Sequence, residues 1–295
     1  MILRPGDDVA ILLPAAQLPD AEAGLLEDAA HVLEGWGLRV AMRAERAHHF
    51  YLAGTDAARA AHLDAALADP AVRAIFAARG GYGCMRLLPH LDLGPRRAEK
   101  FLVGFSDVTA LHLAGKTLWP RVRAIHGPNI ASRHFLGPGP EAERNRSALR
   151  RALFDPAYVV DEEVAFLRDG RARGPLVGGC LSLVAAMVGS GYVPRARGSV
   201  LFLEDVREVP YRIDRMLVQL RAAGVFEGVA GVVFGEMHEC ADGINDLREV
   251  IRDVLAEGAF PIAFGLPAGH GATNIALPLG KRAVLDSARG RFLLK

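Results

Sequence analysis

Residues 100–116 read KFLVGFSDVTALHLAGK. The apolar run from Phe101 to Phe105 is short enough for one buried strand, and a helical stretch starts at Asp107. Only Ser106 stands between them, so the segment reads as the strand and helix of a βα unit. Working outward, the same alternation recurs. VAILLP (9–14), LRVAM (38–42), AVRAIFAA (71–78) and RVRAIHGP (121–128) read as further strands. Between them, residues 20–34 place Leu25, Ala29, Val32 and Leu33 at helical spacing. Residues 55–68 do the same with Ala58, Leu63, Ala66 and Leu67, and Thr55 is able to cap. Strands separated by helices pair in parallel through right-handed crossovers. Residues 1–135 are therefore expected to form a doubly wound, mainly parallel sheet domain.

The pattern breaks over 136–172, where Pro, Gly and mixed charge suggest a linker with one short helix. It resumes over 173–295 as a second, smaller α/β domain. There GGCLSLVAAMVGS (178–190) reads as a tightly packed helix and SVLFLED (199–205) as a strand. Residues 211–224 read as a helix, 229–236 and 259–265 as strands with a helix over 245–257 between them, and 283–295 as a hairpin turning at 288–290. The fold class is thus α/β, with two domains.

Composition narrows the function. Lys and Arg total 35 and Asp and Glu 34 in 295 residues, a net charge of +1. That balance gives no general attraction to nucleic acid or anionic membrane. Three cysteines, Cys84, Cys180 and Cys240, make no disulfide framework and fit a reducing compartment. The N-terminal apolar stretch is broken by Pro5, Gly6, Asp7 and Asp8, which does not suit a signal peptide. No window approaches the roughly 20 apolar residues of a membrane span. A soluble cytoplasmic protein with no membrane or nucleic-acid partner is expected.

Ser106 is the most informative residue. A sharp strand-to-helix turn would lift its hydroxyl from the carboxyl edge of the sheet and aim the following amides at the same point, as in a nucleophile elbow. The plainer reading is a helix cap. A serine nucleophile needs a base. His270, between Gly269 and Gly271, is one candidate, His126 a rival, and His112 lies on the helix behind Ser106. A base needs an orienting carboxylate. Glu204 ends an apolar strand, with Asp205 and Glu236 similarly placed. The turn Arg79-Gly80-Gly81-Tyr82-Gly83 exposes backbone amides that could hold an oxyanion or a phosphate, but it matches neither a Walker A loop nor a dinucleotide fingerprint. Metal-ligand spacing is absent; His238, Glu239, Cys240 and Asp242 read as a solvated loop, and Cys180 as packed.

Together these segments resemble the serine LD-carboxypeptidases, a family that includes muramoyltetrapeptide carboxypeptidases and microcin C immunity proteins. The likeness runs nearly end to end. It covers RPGDDVAILLP (4–14), YLAGTDAARAAHLDAALADP (51–70), AIFAARGGYGCMRLLPHLD (74–92), FLVGFSDVTALHLA (101–114), HGP (126–128), GGCLSLVAAMVGS (178–190), LFLEDVREVPYRIDRMLVQL (201–220) and LPAGHGATNIALPLG (266–280). It departs in PAAQ (14–17), where many relatives follow the proline with serine. The resemblance implies a Ser106–His270–Glu204 triad. It also implies oxyanion donors from the Asp107 amide and from the Gly80–Gly81 turn, of which Gly81 is the choice. It implies an active site between two domains, a small murein peptide as substrate, no cofactor and no metal, and a homodimer. The reaction would release a terminal D-alanine. The immunity branch would instead cleave a peptidyl- or aminoacyl-nucleotide, and a non-catalytic α/β binding protein is the reading of another class. Arg79 is the first candidate to pair with a substrate carboxylate.

Overall fold

The computed structural model describes residues 1–92, 98–193 and 196–295. The chain forms two compact units, Met1–Pro156 and Ala157–Lys295.

The first unit alternates strand and helix. Its elements are β1 (Asp8–Leu12), α1 (Leu25–Gly35), β2 (Arg39–Arg43), α2 (Asp56–Ala68), β3 (Val72–Ala77), α3 (Cys84–Leu87), β4 (Lys100–Gly104), α4 (Thr109–Leu118), β5 (Val122–His126), α5 (Arg133–Leu136) and α6 (Pro140–Phe154). Within this unit the strand order is β5-β4-β3-β1-β2, and every pairing is parallel. The chain therefore winds outward from β1 in both directions. The switch lies between β1 and β3, where the loops beyond the strand carboxyl ends leave a crevice suited to ligands. Strands β1, β3 and β4 are apolar because helices cover both faces; Val9, Phe76 and Val103 are wholly buried. Thr55 caps α2, its Oγ1 accepting from the Ala58 amide at 3.2 Å.

The second unit holds β6 (Val160–Glu163), β7 (Ala165–Arg168), β8 (Arg171–Cys180), α7 (Leu181–Ala186), β9 (Val200–Val206), α8 (Pro210–Ala222), β10 (Gly231–His238), α9 (Leu247–Val254), β11 (Ile262–Gly269), the two-residue β12 (Leu277–Pro278), β13 (Arg282–Asp286) and β14 (Arg291–Leu294). Eight of these strands form one sheet in the order β6-β14-β13-β8-β9-β10-β11-β7. Its centre, β8 to β11, is parallel, and its flanks are antiparallel. The hairpin at 288–290 closes β13 on β14 as its sequence suggests.

Two expectations are corrected. Residues 136–172 are not a linker. They contain α6, which buries Ala142, Leu149 and Leu153 on one face of the first unit, and the paired strands β6 and β7 of the second. The mixed charge is the solvated face of an amphipathic helix. Residues 178–190 are not one helix either. β8 runs through Cys180, and α7 begins only at Leu181. Gly178 lies at φ +123° opposite Phe202, and a Cβ there would collide with the Phe202 carbonyl, so small residues serve close strand approach rather than helix packing.

Candidate active site

Ser106 follows the extended Phe105 and opens a single 3-10 turn, Ser106–Val108, ahead of α4. Its φ is +62°, a left-handed conformation held by only three other non-glycine residues among those described. Ser106 is thus inside the turn. The positions that precede the 3-10 turn and α4 are Phe105 and Val108, so the cap reading does not describe it. Such a backbone costs on the order of 1–3 kcal/mol and persists only where its surroundings enforce it. Those surroundings are on the page. The Phe105 amide donates to Asn129 Oδ1 at 3.3 Å. A Cβ on Gly104 would press to 3.0 Å on Ala77, Val108 and Asn129, so glycine gives the neighbours their close approach without crowding.

Asp107, 1% exposed, turns its carboxylate back to accept the Cys84 amide at 2.7 Å. Burial pushes its pKa up, while the Cys84 bond and the charge of Arg59 pull against that. The bond ties the elbow to the glycine turn after β3. A Cβ on Gly80 would stand 3.0 Å from the Ser106 Cβ and 3.3 Å from its Oγ, so the turn's backbone lies against the hydroxyl. Gly81, at φ +107°, faces Ala16; a Cβ there would come within 2.6 Å of the Ala16 Cβ. The Gly80 carbonyl accepts the Ala16 amide at 3.2 Å. The peptide is trans, so the Gly81 N–H points away from Ala16, and no acceptor among the described residues takes it.

A buried cation organises this edge. Arg59, 2% exposed on α2, donates to the carbonyls of Pro14, of Gly83 at 3.1 Å and of Gly54 at 3.3 Å, and pairs with Asp56. Arg79, at the start of the glycine turn, forms an ion pair with Glu22.

In the second unit Glu204 is wholly buried on β9. Glycines make its room. A Cβ on Gly269 would lie 2.6 Å from Glu204 Oε2, and one on Gly235 3.1 Å from the Glu204 Cβ. Glu204 Oε2 meets His270 Nδ1 at 2.7 Å. The Gly269 amide donates to Asn274 Oδ1 at 3.0 Å, which steadies the loop that presents the ring. Burial lowers the His270 pKa, but the charge and hydrogen bond of Glu204, with the charge of Asp205, outweigh it and hold the imidazole above its ordinary value. With Nδ1 engaged, Nε2 is the nitrogen left to exchange a proton.

The rivals have other duties. Asp205 accepts the amides of Ser182 at 2.7 Å and Val206 at 2.8 Å, and burial raises its pKa to about 6. It fastens the first turn of α7. Glu236 is half-buried against Gly271 and makes no bond to His270. His112 is buried on α4, where burial depresses its pKa to about 4. His126 is buried at the end of β5, edge-on to the Phe105 ring at 5.9 Å. Among the described residues no group of three or more His, Cys, Asp or Glu side chains gathers as a metal-ligand set. No helix there is long and apolar enough to cross a membrane.

The first unit thus brings together Ser106, Asp107, Gly80 and Gly81, and the second brings together Glu204 and His270. Asn129 and Arg59 are additional residues that reading the sequence does not single out. Arg59 leaves a trace, because it falls on the same face of α2 as Leu63, Ala66 and Leu67. A serine on a strained backbone beside the untaken Gly81 amide, and an imidazole oriented by a buried carboxylate, are the parts of acyl transfer through a serine.

Known proteins are similar to this chain along its length. Residues 9–127 match the model of the LD-carboxypeptidase N-terminal domain, and residues 173–285 that of the C-terminal domain. A putative carboxypeptidase of Streptomyces coelicolor is 41% identical, over 99% of this chain and 94% of its own. The murein tetrapeptide carboxypeptidase of Pseudomonas aeruginosa is 34% identical, over 99% of this chain and all of its own. The crystal structure of muramoyltetrapeptide carboxypeptidase from Oxalobacter formigenes superposes with a TM-score of 0.84 at 29% identity, covering 97% of each chain. With both of its domain models matched in order and relatives aligned along almost its whole length, the chain belongs to the LD-carboxypeptidase family.

Proposed function

We propose that this chain is a serine LD-carboxypeptidase that removes the terminal D-alanine from murein tetrapeptides in the cytoplasm. The observation that carries the reading is the 2.7 Å bond from a wholly buried Glu204 to His270 Nδ1. It fixes the tautomer and leaves Nε2 as a base. The left-handed Ser106 supplies the matching nucleophile, and relatives named for murein peptides supply the substrate class.

In this mechanism Ser106 Oγ attacks the scissile carbonyl as His270 Nε2 takes its proton. The amides of Asp107 and Gly81 hold the oxyanion, and Glu204 stabilises the imidazolium. Collapse breaks the C–N bond, and His270 returns the proton to the leaving amine of D-alanine. Water then enters by the same base, and hydrolysis of the ester frees Ser106. The atoms balance with water as the one co-reactant. Arg79, engaged by Glu22, is assigned no substrate contact. The setting this implies is recycling of wall fragments by a homodimer.

The test is a mass-spectrometric assay of the purified protein with a murein tetrapeptide and, separately, an aminoacyl-nucleotide. Release of D-alanine by the native protein, abolished in Ser106→Ala with the fold intact, is expected. Cleavage of the nucleotide conjugate alone would move the reading to the immunity branch. Turnover of neither would leave a binding protein.

A further inference from the structure

The antiparallel flank of the second sheet carries a groove that the proposed chemistry does not use. It has a volume of about 450 Å³ and is lined by Arg173, Gly174 and Pro175 of β8, by Gly280 in the turn between β12 and β13, and by Arg282 of β13. Every lining residue belongs to the second unit. The turn is fastened to β8: the Gly280 amide donates to the Leu176 carbonyl, and the Leu176 amide to the Lys281 carbonyl, each at 2.8 Å. Gly280 lies at φ +83°, and a Cβ there would meet nothing within 4 Å, so its bare backbone faces open space. Cys180, at the far end of β8, is the residue that pairs with Glu204. Arg173 stands seven residues before it, roughly 23 Å along an extended strand, so the groove is separate from the triad carboxylate.

Strand register sets the two arginines beside each other. Arg282 pairs with Pro175, and Arg173 lies two residues back on the same face of β8. Such diagonal neighbours stand roughly 7–8 Å apart, within reach of long side chains, and like charges so placed weaken the strand pair. Both arginines are exposed, and neither side chain makes an ion pair or a hydrogen bond among the described residues. The neighbouring carboxylate is already taken: Asp286 meets Arg171 at 3.7 Å and Arg289 at 3.9 Å. Beyond it, Arg291 is held by Asp161 at 2.6 Å. Lys281, exposed next to Arg282, adds a third cation with no ion pair among the described residues. Guanidinium is planar and weakly hydrated, and two of them at one groove are a donor set for the several oxygens of a dianion. The row of free cations ends there, too short to track an extended polyanion.

We infer that the groove between β8 and the β12–β13 turn is an anion site, in which Arg173 and Arg282 grip a phosphate group, free or carried by a small metabolite. The volume suits a ligand the size of a sugar phosphate. The site contains none of the proposed catalytic residues, so it stands or falls apart from the hydrolase reading.

The test titrates the full chain, in phosphate-free buffer, with inorganic phosphate, glucose 6-phosphate and glucose by calorimetry. Binding of phosphate or glucose 6-phosphate at one site per chain is expected, with a Kd of about 1 mM or tighter, and no binding of glucose. Tighter binding of glucose 6-phosphate assigns the site to a metabolite, and equal or weaker binding assigns it to free phosphate. Arg173→Gln and Arg282→Gln are each expected to weaken binding by about tenfold or more, the scale of one lost charge-assisted contact. Arg289→Gln, at an arginine already turned to Asp286, leaves it unchanged. All three arginines are exposed, and the variants are expected to release D-alanine at the native rate. The inference is overturned if the native protein binds neither phosphate, if it binds glucose as well, if either lining-arginine variant binds undiminished, or if Arg289→Gln weakens binding equally. None of these results touches the hydrolase reading, which D-alanine release tests by itself.

Discussion

At Ser106 the backbone itself is the device. A φ of +62° is a conformation that glycine adopts without penalty and serine does not. Removing the hydroxyl alone leaves the strain in place, whereas glycine relieves it. Ser106→Gly is therefore expected to be more stable than Ser106→Ala by about 1 kcal/mol in chemical denaturation, both being inactive. An alanine variant as stable as the glycine variant would mean that the turn holds no strain. At His270 the electrostatics make a separate prediction. Burial alone would lower the ring's pKa, and Glu204 raises it above the ordinary value of about 6.5. Since the base must be neutral, the acid limb of kcat/KM in the native enzyme lies above that value. In Glu204→Gln the limb shifts to lower pH as the plateau falls. A limb that stays in place would show that Glu204 does not set the ring's charge. The serine's position is legible in the sequence, because an apolar strand, one residue and a helix admit few geometries. Its left-handed dihedral is not, because it depends on Asn129 and Gly104 packing from outside the motif.

At the scale of elements, the loops beyond β1, β3 and β4 meet at one edge, and Arg59 from α2 is the pin. It serves three backbone carbonyls and Asp56 with almost no exposure. Arg59→Leu would leave those carbonyls buried and unmet. A loss of about 3 kcal/mol in unfolding free energy, read by denaturant titration, is expected. A change within about 0.5 kcal/mol would mean that the loops hold without it. The parallel strands of the first unit are legible because helices on both faces demand unbroken apolar runs. The same logic misleads at 178–180, where small residues permit close strand contact as readily as helix packing, and at 140–154, where a polar helix face resembles a linker.

For the whole molecule, the proposed chemistry draws on both units, with Ser106 in one and Glu204 and His270 in the other. Both tryptophans, Trp36 and Trp119, belong to the first. Their fluorescence follows that unit alone, so hydrolytic activity is expected to vanish no later than the tryptophan transition on heating. Activity that outlives the transition would contradict the placing of the nucleophile in the first unit. The two-unit plan is visible in the alternation of strand and helix, but the boundary at Pro156 is not, since α6 carries linker-like composition.

The most direct test of a serine mechanism is covalent. The native protein is incubated with a fluorophosphonate, and its digest is mapped by mass spectrometry. One adduct, on the Ser106 hydroxyl with fluoride lost, is expected, absent in Ser106→Ala and slowed in His270→Ala. Labelling elsewhere in a chain that still releases D-alanine, or D-alanine release undiminished in Ser106→Ala, would contradict the account.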